Sequence, residues 1–409
     1  MKRVLIVSYP FLPASNMGSH RITRFVRHLR EFGWEPVLLT APDAQAIDDI
    51  EIHRVKSVDL TTLWRRLKGT TEGGGSGQAV TTSLNRWVMI PDKYFPWIAP
   101  AKRVGSRIRN IDVIYSTSDP LSDHLVARHV SKRLGVSFVA EFRDLLLGSP
   151  YFARSHPTPF HRALQARLER LVVRDAAAIV GLSRGIGQYF ERTYGKPTDL
   201  IYNCFDPGEY GPTPPLAETF TVVYAGALYS SRSPEPFLGG FAQFVKQQPT
   251  ARFVIVGNSS DLDLPAMVAR HGLEKNVELP GRVPHAEALR RMQSATVLLA
   301  VQSPDDSIHV PGKLFEYMGA GRPILAMSRP CEVAEMITQN ELGWVAEPEA
   351  NAVAARLAEA YQAWGANALP TPKAERFTVR ETTRQLAAVL DKVLDTAGKT
   401  ARAPHPRSR

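Results

Sequence analysis

Short runs of apolar residues alternate with helix-like patterns along most of the chain, and this alternation constrains the fold more than any other feature. Residues 3–9 (RVLIVSY) form a continuous apolar run, as expected of a strand that is buried on both faces. Residues 20–33 follow with apolar side chains at helical spacing and end at Gly33. Residues 35–40 (EPVLLT) return to a strand pattern. The opening therefore predicts a βαβ unit of a parallel sheet, with a right-handed crossover.

The alternation occurs in two series, separated by a Pro/Gly-rich stretch over 205–218. The later strands of the first series are predicted at 112–117, 137–142, 177–183 and 198–203. Those of the second series are predicted at 221–226, 251–257, 277–281, 296–301, 323–327 and 343–347. We therefore predict an α/β protein with two doubly wound, Rossmann-like domains that face a central cleft, where ligands bind at the carboxyl ends of the strands.

Domain boundaries follow from the same pattern. The N-terminal domain is predicted at 1–205 and the C-terminal domain at 206–379. A helix over 380–395 is expected to pack back toward the first domain. The basic tail, 396–409, has no apolar anchor and is expected to be disordered.

Composition narrows the functional class. The chain has two cysteines, Cys204 and Cys331, which form neither a disulfide framework nor a zinc pattern and favour a reducing compartment. The first residues read as a strand and not as a signal peptide, and no apolar run is long enough to span a membrane. We therefore expect a cytoplasmic protein.

The positive charge belongs to one half of the chain. The net charge is +10, and residues 1–205 hold 29 Lys+Arg against 18 Asp+Glu. An excess of cations in one half suggests an anionic partner, which could be a phospholipid surface, a phosphorylated substrate or nucleic acid. The alternative interpretation is that these cations form an ordinary solvated surface. No nucleic-acid-binding module is recognisable, so nucleic acid is not expected as a partner.

Two opposite charges mark an otherwise apolar stretch over 309–326. Lys313 and Glu316 lie three residues apart at a helix start that follows Pro311. One interpretation is a surface ion pair of a few tenths of a kcal/mol. The other is an anion site, in which the helix N-terminus and the ammonium favour a phosphate and the carboxylate accepts ribose hydroxyls. Spacing alone leaves both open.

This stretch resembles the nucleotide-sugar motif of retaining glycosyltransferases of the GT-B fold, a family that includes sucrose synthases and many bacterial polysaccharide transferases. The resemblance implies that Glu316 binds the ribose, that Lys313 touches the diphosphate and that Leu314 belongs to the donor-binding set. The first of the two glutamates of the motif would fall at Ile308, so the identity of the sugar does not carry over.

The resemblance extends over nearly the whole chain. It implies that Gly18, in the loop after the first strand, approaches the donor phosphate and that Arg232 is the cation for the diphosphate. Arg282 and Val283 match the loop that holds the base. On the acceptor side, the segment 116–144 supplies its own candidates, which are His124, Arg143 and Asp144. A lone histidine on a helix is more often structural, and that alternative stays open.

The function implied by the resemblance is transfer of a sugar, with retained anomeric configuration, from a nucleoside diphosphate to an acceptor hydroxyl. Uridine diphosphate is the expected nucleotide, and a glycan or a polyprenyl-phosphate-linked glycan is the expected acceptor. Arg232, Lys313 and His124 are the catalytic candidates. No cofactor and no metal are expected. The alternatives are a sugar-nucleotide epimerase or hydrolase of the same fold, and a non-catalytic scaffold that binds nucleotide or glycan, which Ile308 keeps open.

Two segments of the basic half combine aromatic residues with cations. Residues 57–70 place Trp64 beside Arg65 and Arg66, and residues 86–103 contain two tryptophans among lysines and arginines. Such amphipathic segments suit the surface of an anionic membrane. The alternative is that they pack on their own domain. We expect peripheral association with the inner face of the cell membrane.

Overall fold

The computed structural model describes residues 1–13, 17–57, 90–147, 158–259, 261–304 and 306–402, without the side chain of Met17 and those after 398. The chain divides into two compact units. Unit 1 comprises Met1–Tyr202 together with Thr382–Arg409, and unit 2 comprises Asn203–Glu381. The segment 58–89, which contains Trp64, Arg65 and Arg66, lies outside the described residues, so its membrane role stays a prediction.

The described residues of unit 1 form a seven-stranded parallel sheet with the order β3-β2-β1-β4-β5-β6-β7. Its strands are β1 (Lys2–Val7), β2 (Trp34–Thr40), β3 (Glu51–Arg54), β4 (Val113–Ser118), β5 (Phe138–Phe142), β6 (Ala178–Gly181) and β7 (Thr198–Leu200). Every residue of β4 and β5 is buried, as expected of strands covered on both faces. The sequence analysis missed β3, because this partly exposed edge strand (EIHR) has no apolar run.

Helices connect these strands. They are α1 (Met17–His28), α2 (Phe95–Gly105), α3 (Leu121–Leu134), α4 (Pro159–Asp175) and α5 (Arg184–Tyr194). Local sequence explains their ends. The Ser183 side chain accepts a hydrogen bond from the Ile186 N–H at the start of α5, and Gly195 ends α5 with a φ of 61°, in the region that favours glycine.

Unit 2 is a second parallel α/β unit, whose described residues form a six-stranded sheet with the order β10-β9-β8-β11-β12-β13. Its strands are β8 (Thr221–Ala225), β9 (Arg252–Val256), β10 (Val277–Gly281), β11 (Val297–Val301), β12 (Ile324–Met327) and β13 (Gly343–Ala346). Its helices are α6 (Glu235–Val245), α7 (Leu264–Arg270), α8 (His285–Ser294), α9 (Gly312–Ala320), α10 (Glu332–Gln339) and α11 (Ala350–Gly365). The two parallel, Rossmann-like units confirm the predicted fold class.

The last helix, α12 (Val379–Arg402), packs on unit 1. Leu386, Leu390 and Val393 join the core of the first sheet, and Asp391 accepts a hydrogen bond from Trp34 Nε1 at 2.9 Å. The sequence analysis expected disorder from 396, whereas the helix continues to Arg402, and no proline interrupts the chain before Pro404. None of the described helices is both long and apolar enough to cross a lipid bilayer.

Candidate functional site

The strand order of unit 2 reverses between β8 and β11. The connection after β8 runs to β9 on one side, and the connection after β11 runs to β12 on the other. In open α/β sheets, ligands bind beyond the carboxyl ends of the strands at such a point. Arg232 follows β8 and Lys313 follows β11, so the fold brings both of these sequence-predicted residues to the expected place.

Lys313 is the second residue of α9, and its side chain returns to the end of β8. The ammonium donates a hydrogen bond to the Ala225 carbonyl and lies 5.4 Å from the centre of the Tyr224 ring. Gly226 leaves room for this path, because its φ of 142° favours glycine and a Cβ there would overlap the Lys313 side chain. The glycine after β8 and the lysine of α9 therefore depend on each other.

Burial changes the acidity of this lysine. It lowers the pKa of Lys313 from 10.5 to about 8; the charge of Glu316 opposes this effect, and the charge of Arg232 adds to it. The ammonium is still mostly charged at pH 7, although it has lost much of its hydration. An anionic ligand beside the Lys313 ammonium would stabilise its charged form and offset the effect of burial.

Arg232 provides a second cation beside Lys313. It ends a single 3-10 turn, Ser230–Arg232, and the N–H of Ser230 donates to Asp261 Oδ2 at 3.0 Å. The Arg232 Nε is buried without a hydrogen-bond partner, and its guanidinium has no ion pair within the part of the chain that the structure describes. A buried donor without an acceptor is costly, so the arrangement favours an anionic ligand.

Arg232 and Lys313 both line one depression that is open to solvent. Its lining consists of Tyr224, Arg232, Ala300, Val301, Gln302, Pro311, Lys313, Leu314, Tyr317 and Val333. Leu314 is almost fully buried and contributes an apolar wall. The depression thus combines apolar walls with two convergent cations, as small-molecule sites do.

Glu316 lies one turn after Lys313, but the two side chains form no ion pair, because the ammonium turns to Ala225. The surface ion pair considered from the sequence is therefore not formed. The Glu316 side chain is half-buried, and its carboxylate has no hydrogen bond to any other described residue. Its backbone carbonyl accepts a hydrogen bond from the Tyr210 hydroxyl at 2.8 Å. The carboxylate remains available to a ligand.

A buried aspartate shapes the connection after β11. Asp306 is 3% exposed, and its carboxylate accepts hydrogen bonds from the His309 N–H at 3.1 Å and from His309 Nδ1 at 2.9 Å. Burial by itself would raise the pKa of Asp306, but the interactions with His309 lower it overall. The Gln302 amide donates to the His309 carbonyl at 3.2 Å. The sequence analysis assigned no role to these three residues; the Asp-x-x-His spacing of a side-chain-capped turn was the available signal.

Two donor-side candidates lie apart from this depression. Arg282 is exposed and Val283 is half-buried, and both follow β10, the outermost strand of the sheet. Neither is among the residues that line the depression. Ile308 is half-buried in the connection after β11 and brings no carboxylate there. The base-binding role of Arg282 and Val283 stays a prediction.

Unit 1 has its own reversal of strand order, between β1 and β4. Arg143 follows β5, and its guanidinium donates to the carbonyls of Ser118 and Asp119, both at 2.6 Å, at the end of β4. A Cβ on Gly18 would overlap this guanidinium, so the glycine lets the start of α1 approach it. The sequence analysis assigned Gly18 to the donor and Arg143 to the acceptor, whereas the structure places them against each other within unit 1.

His124 lies in the interior of unit 1. It is fully buried on α3, its Nδ1 shares a hydrogen bond with Ser116 Oγ at 2.8 Å, and its ring centre lies 4.6 Å from that of Phe142. Burial lowers the pKa of His124 to about 3, and the charge of Arg143 acts in the same direction. The ring is therefore neutral at pH 7. This geometry is typical of a structural histidine, and a catalytic role stays a prediction.

A group of carboxylates, which the sequence analysis missed, surrounds the end of β4. Asp123 is fully buried, and one of its oxygens accepts the Tyr9 N–H at 2.9 Å. Asp92 accepts hydrogen bonds from the N–H and hydroxyl of Ser122, both at 2.8 Å. Desolvation, and then the charge of Asp92, raise the pKa of Asp119 to about 6, although the residue as a whole is exposed to solvent. Asp144, also predicted from the sequence, is exposed and raises that pKa further.

Two family models match the sequence. One, described as a glycosyl transferase 4-like domain, matches residues 18–204, and the other, described as glycosyl transferases group 1, matches residues 219–363. A search of curated protein sequences gave no match.

Solved structures share the fold. HepE of Anabaena, in complex with UDP-glucose, is 15% identical with a TM-score of 0.60, over 98% of this chain and 99% of that one. Sucrose-phosphate synthase from Thermosynechococcus elongatus is 15% identical with a TM-score of 0.58, over 98% of each chain. WaaG, a glycosyltransferase involved in lipopolysaccharide biosynthesis, is 14% identical with a TM-score of 0.56, over 98% of this chain and all of that one.

Proposed function

We propose that the protein transfers a sugar from a nucleoside diphosphate to a hydroxyl of a glycan or lipid-linked glycan. The chain belongs to the glycosyltransferases, since models of that family match both of its units. Uridine diphosphate is the proposed nucleotide. Crystals of the structurally similar HepE contain UDP and UDP-glucose, which supports this choice.

The observation that carries the proposal is the pair of cations at the strand reversal of unit 2. Arg232 has a buried donor without a partner, and Lys313 has a pKa lowered to about 8 by burial. Neither cation forms an ion pair with a described residue, and the charges of Glu316 and Asp306 act on Lys313 and Arg232 only over a longer distance, so an anionic ligand would still be favoured between them. A diphosphate carries the opposite charge and would interact favourably with both cations.

The remaining parts of the donor can be assigned around the diphosphate. The unpaired carboxylate of Glu316 would accept hydrogen bonds from the ribose hydroxyls, one helical turn away from Lys313. Backbone groups near Arg282 and Val283 would hold the base. Gln302 also lines the depression; its amide nitrogen donates to the carbonyls of Asp306 and His309, and its buried Oε1, which has no partner among the described residues, would accept a hydrogen bond from a sugar hydroxyl.

Catalysis would rest on electrostatics. As the bond between the anomeric carbon and the diphosphate breaks, negative charge grows on the leaving phosphate oxygen, and the ammonium of Lys313 and the guanidinium of Arg232 stabilise it. We propose that this oxygen takes the proton of the acceptor hydroxyl on the same face of the sugar, which retains the anomeric configuration. Because two side chains supply the positive charge, no metal is required by this scheme, and resistance of turnover to a chelator would test that point.

The acceptor is assigned to unit 1. Arg143 and Asp144 follow β5 near the carboxylates at the end of β4, and groups of this kind bind hydroxyl-rich ligands. His124, which the sequence analysis placed with the catalytic residues, is fully buried against Ser116 and Phe142, and its position supports a structural role in unit 1. A lipid-linked acceptor would place the enzyme at the inner face of the cell membrane.

Calorimetric titration with UDP, UDP-glucose, GDP and CDP tests the donor. We expect binding of UDP and UDP-glucose. Binding of GDP or CDP alone would overturn the choice of base, and binding of no nucleotide would overturn the donor site.

Product analysis tests the reaction. We expect donor turnover to depend on an acceptor, with a new glycoside detected by mass spectrometry. Turnover that releases free or epimerised sugar without an acceptor would indicate a hydrolase or epimerase, and nucleotide binding without any turnover would indicate a scaffold.

A further inference from the structure

The outer helices of unit 1 concentrate positive charge. Helix α3 packs against both α2 and α4. Together the three helices contain nine lysines and arginines, which are Lys102, Arg103, Arg128, Lys132, Arg133, Arg162, Arg167, Arg170 and Arg174. Of their three carboxylates, Asp123 and Glu169 are fully buried, and the Asp175 side chain is only 15% exposed. We call these three helices the basic helix layer.

The cations of the basic helix layer are close enough to affect one another. Asp175 joins Arg128 and Lys132 of α3 to Arg174 of α4, each at 2.7 Å, so one carboxylate serves three cations. On α2, burial and then the charge of Arg128 lower the pKa of Lys102. These interactions join cations of α2, α3 and the end of α4 into one cluster, and the three carboxylates of the layer do not balance its nine cations.

Helix α4 offers the most accessible part of this surface. Arg162, Arg167 and Arg170 are exposed, and none of them forms an ion pair with another residue that the structure describes. Phe160, at the start of the same helix, is 71% exposed and lies two turns before Arg167, on the same side. Leu164, Leu168 and Leu171 lie on the same helix as the arginines and are half-buried.

We propose that the basic helix layer docks on a bilayer that contains anionic lipid. Unpaired arginines are attracted to anionic headgroups, and an exposed aromatic ring with flanking leucines can enter the boundary with the acyl chains. A nucleic acid would match the charge but would leave Phe160 and the leucines without a partner. The inference deepens the proposed function, since docking would bring unit 1 to a lipid-linked acceptor. Of the two segments predicted from the sequence, 86–103 overlaps α2 of the basic helix layer, and α3 and α4 are added to it.

Vesicle co-sedimentation tests the docking. The test variant combines Arg162→Glu, Arg167→Glu and Arg170→Glu, and the control combines Lys246→Glu, Lys275→Glu and Arg290→Glu. The control residues are exposed cations of unit 2, so both variants change the net charge equally. On vesicles with phosphatidylglycerol at low salt, we expect the test variant to bind about a hundredfold more weakly than wild type and the control within about threefold of it. Phe160→Ser should weaken binding severalfold.

Each outcome separates the docking from the donor site. Equal loss in the test and control variants, or no binding of wild type to phosphatidylglycerol vesicles, overturns the proposal. Binding of wild type to heparin but not to vesicles also overturns it, in favour of a soluble polyanion. UDP titration of the test variant checks its fold and should match wild type. Failure of all forms to bind UDP would overturn the proposed function and leave the docking result standing.

Discussion

At the point where its strand order reverses, unit 2 presents two cations, and unit 1 presents a group of carboxylates. In unit 2 the connections after β8 and β11 bring Arg232 and Lys313 together. In unit 1 the end of β4 collects Asp92, Asp119 and Asp123. Both units are parallel α/β sheets of the same kind. The shared architecture therefore fixes where a ligand can bind, and a few residues at the strand ends decide which ligand that is.

In both units, like charges are held close together at a cost. Arg232 contributes to the lowered pKa of Lys313, and Asp92 contributes to the raised pKa of Asp119. Such pairs lower the stability of the folded protein, whereas binding of a ligand with complementary charge or hydrogen-bonding groups offsets this cost. A diphosphate complements the cations of unit 2, and an acceptor with several hydroxyls suits the carboxylates of unit 1.

The largest expected effect concerns the cations of unit 2. Arg232→Ala should lower turnover by about 10²–10³-fold, because it removes a fixed donor from the leaving diphosphate. Steady-state kinetics measures the change. Arg290→Ala, which removes an exposed arginine of the same unit, should have little effect. Similar losses in the two variants would show that the position of Arg232 at the strand reversal is unimportant.

Removal of the unpaired carboxylate should have the next largest effect. Glu316→Ala should weaken UDP binding by about 1–3 kcal/mol, the scale of a hydrogen bond to a charged group. Calorimetry with UDP and with its 2′-deoxy analogue sharpens the test. The difference between wild type and variant should shrink for the analogue, and a loss of equal size for both ligands would contradict a ribose contact.

Donor binding should also depend on pH through Lys313. Its pKa of about 8 in the free protein means that the ammonium is charged below this value and loses its proton above it. UDP affinity should therefore fall as pH rises past 8, approaching about tenfold per unit. Calorimetry across this range should show that the UDP affinity of Lys313→Arg does not change with pH. A UDP affinity of wild type that is independent of pH would contradict the contact between Lys313 and the diphosphate.

The same lysine affects the stability of the free protein in the opposite direction. Because its pKa is lowered from 10.5 in the folded state, the unfolded chain binds more protons between pH 8 and 10.5. The contribution of this group to the free energy of unfolding should rise over that interval. Denaturant titrations should show that the free energies of unfolding of wild type and Lys313→Met differ most at pH 8 and below and become similar as pH approaches 10.5.

The smallest effect is expected in unit 1. The pKa of Asp119 is raised from 3.8 to about 6, so this group costs stability that grows as pH rises from 3.8 to 6, is complete above pH 6 and is absent only below 3.8. Asp119→Asn should raise the free energy of unfolding at pH 7.5 by up to about 1 kcal/mol, a value reduced for solvent screening. Asp43→Asn, at an exposed carboxylate, is the control. An equal gain at pH 4 and pH 7.5 would contradict the electrostatic origin.

Local patterns were sufficient for most of the architecture. The apolar runs over 3–9 and 221–226 predicted β1 and β8, because a strand buried on both faces must be apolar throughout. Arg232 and Lys313 were found from motifs at predicted strand ends. The edge strand β3 and the extension of α12 to Arg402 escaped, since neither depends on a buried apolar run.

The sequence by itself determined the two sheets and the residues at their strand ends, because strand and helix periods are properties of neighbouring residues. The tertiary structure decided the charge states and the partners. Lys313 meets Ala225 across 88 positions of sequence, and Asp123 meets Tyr9 across 114. The pKa of a side chain depends on how far it is removed from water, and its hydrogen-bond partners come from distant parts of the sequence. Both are therefore set only when the unit folds.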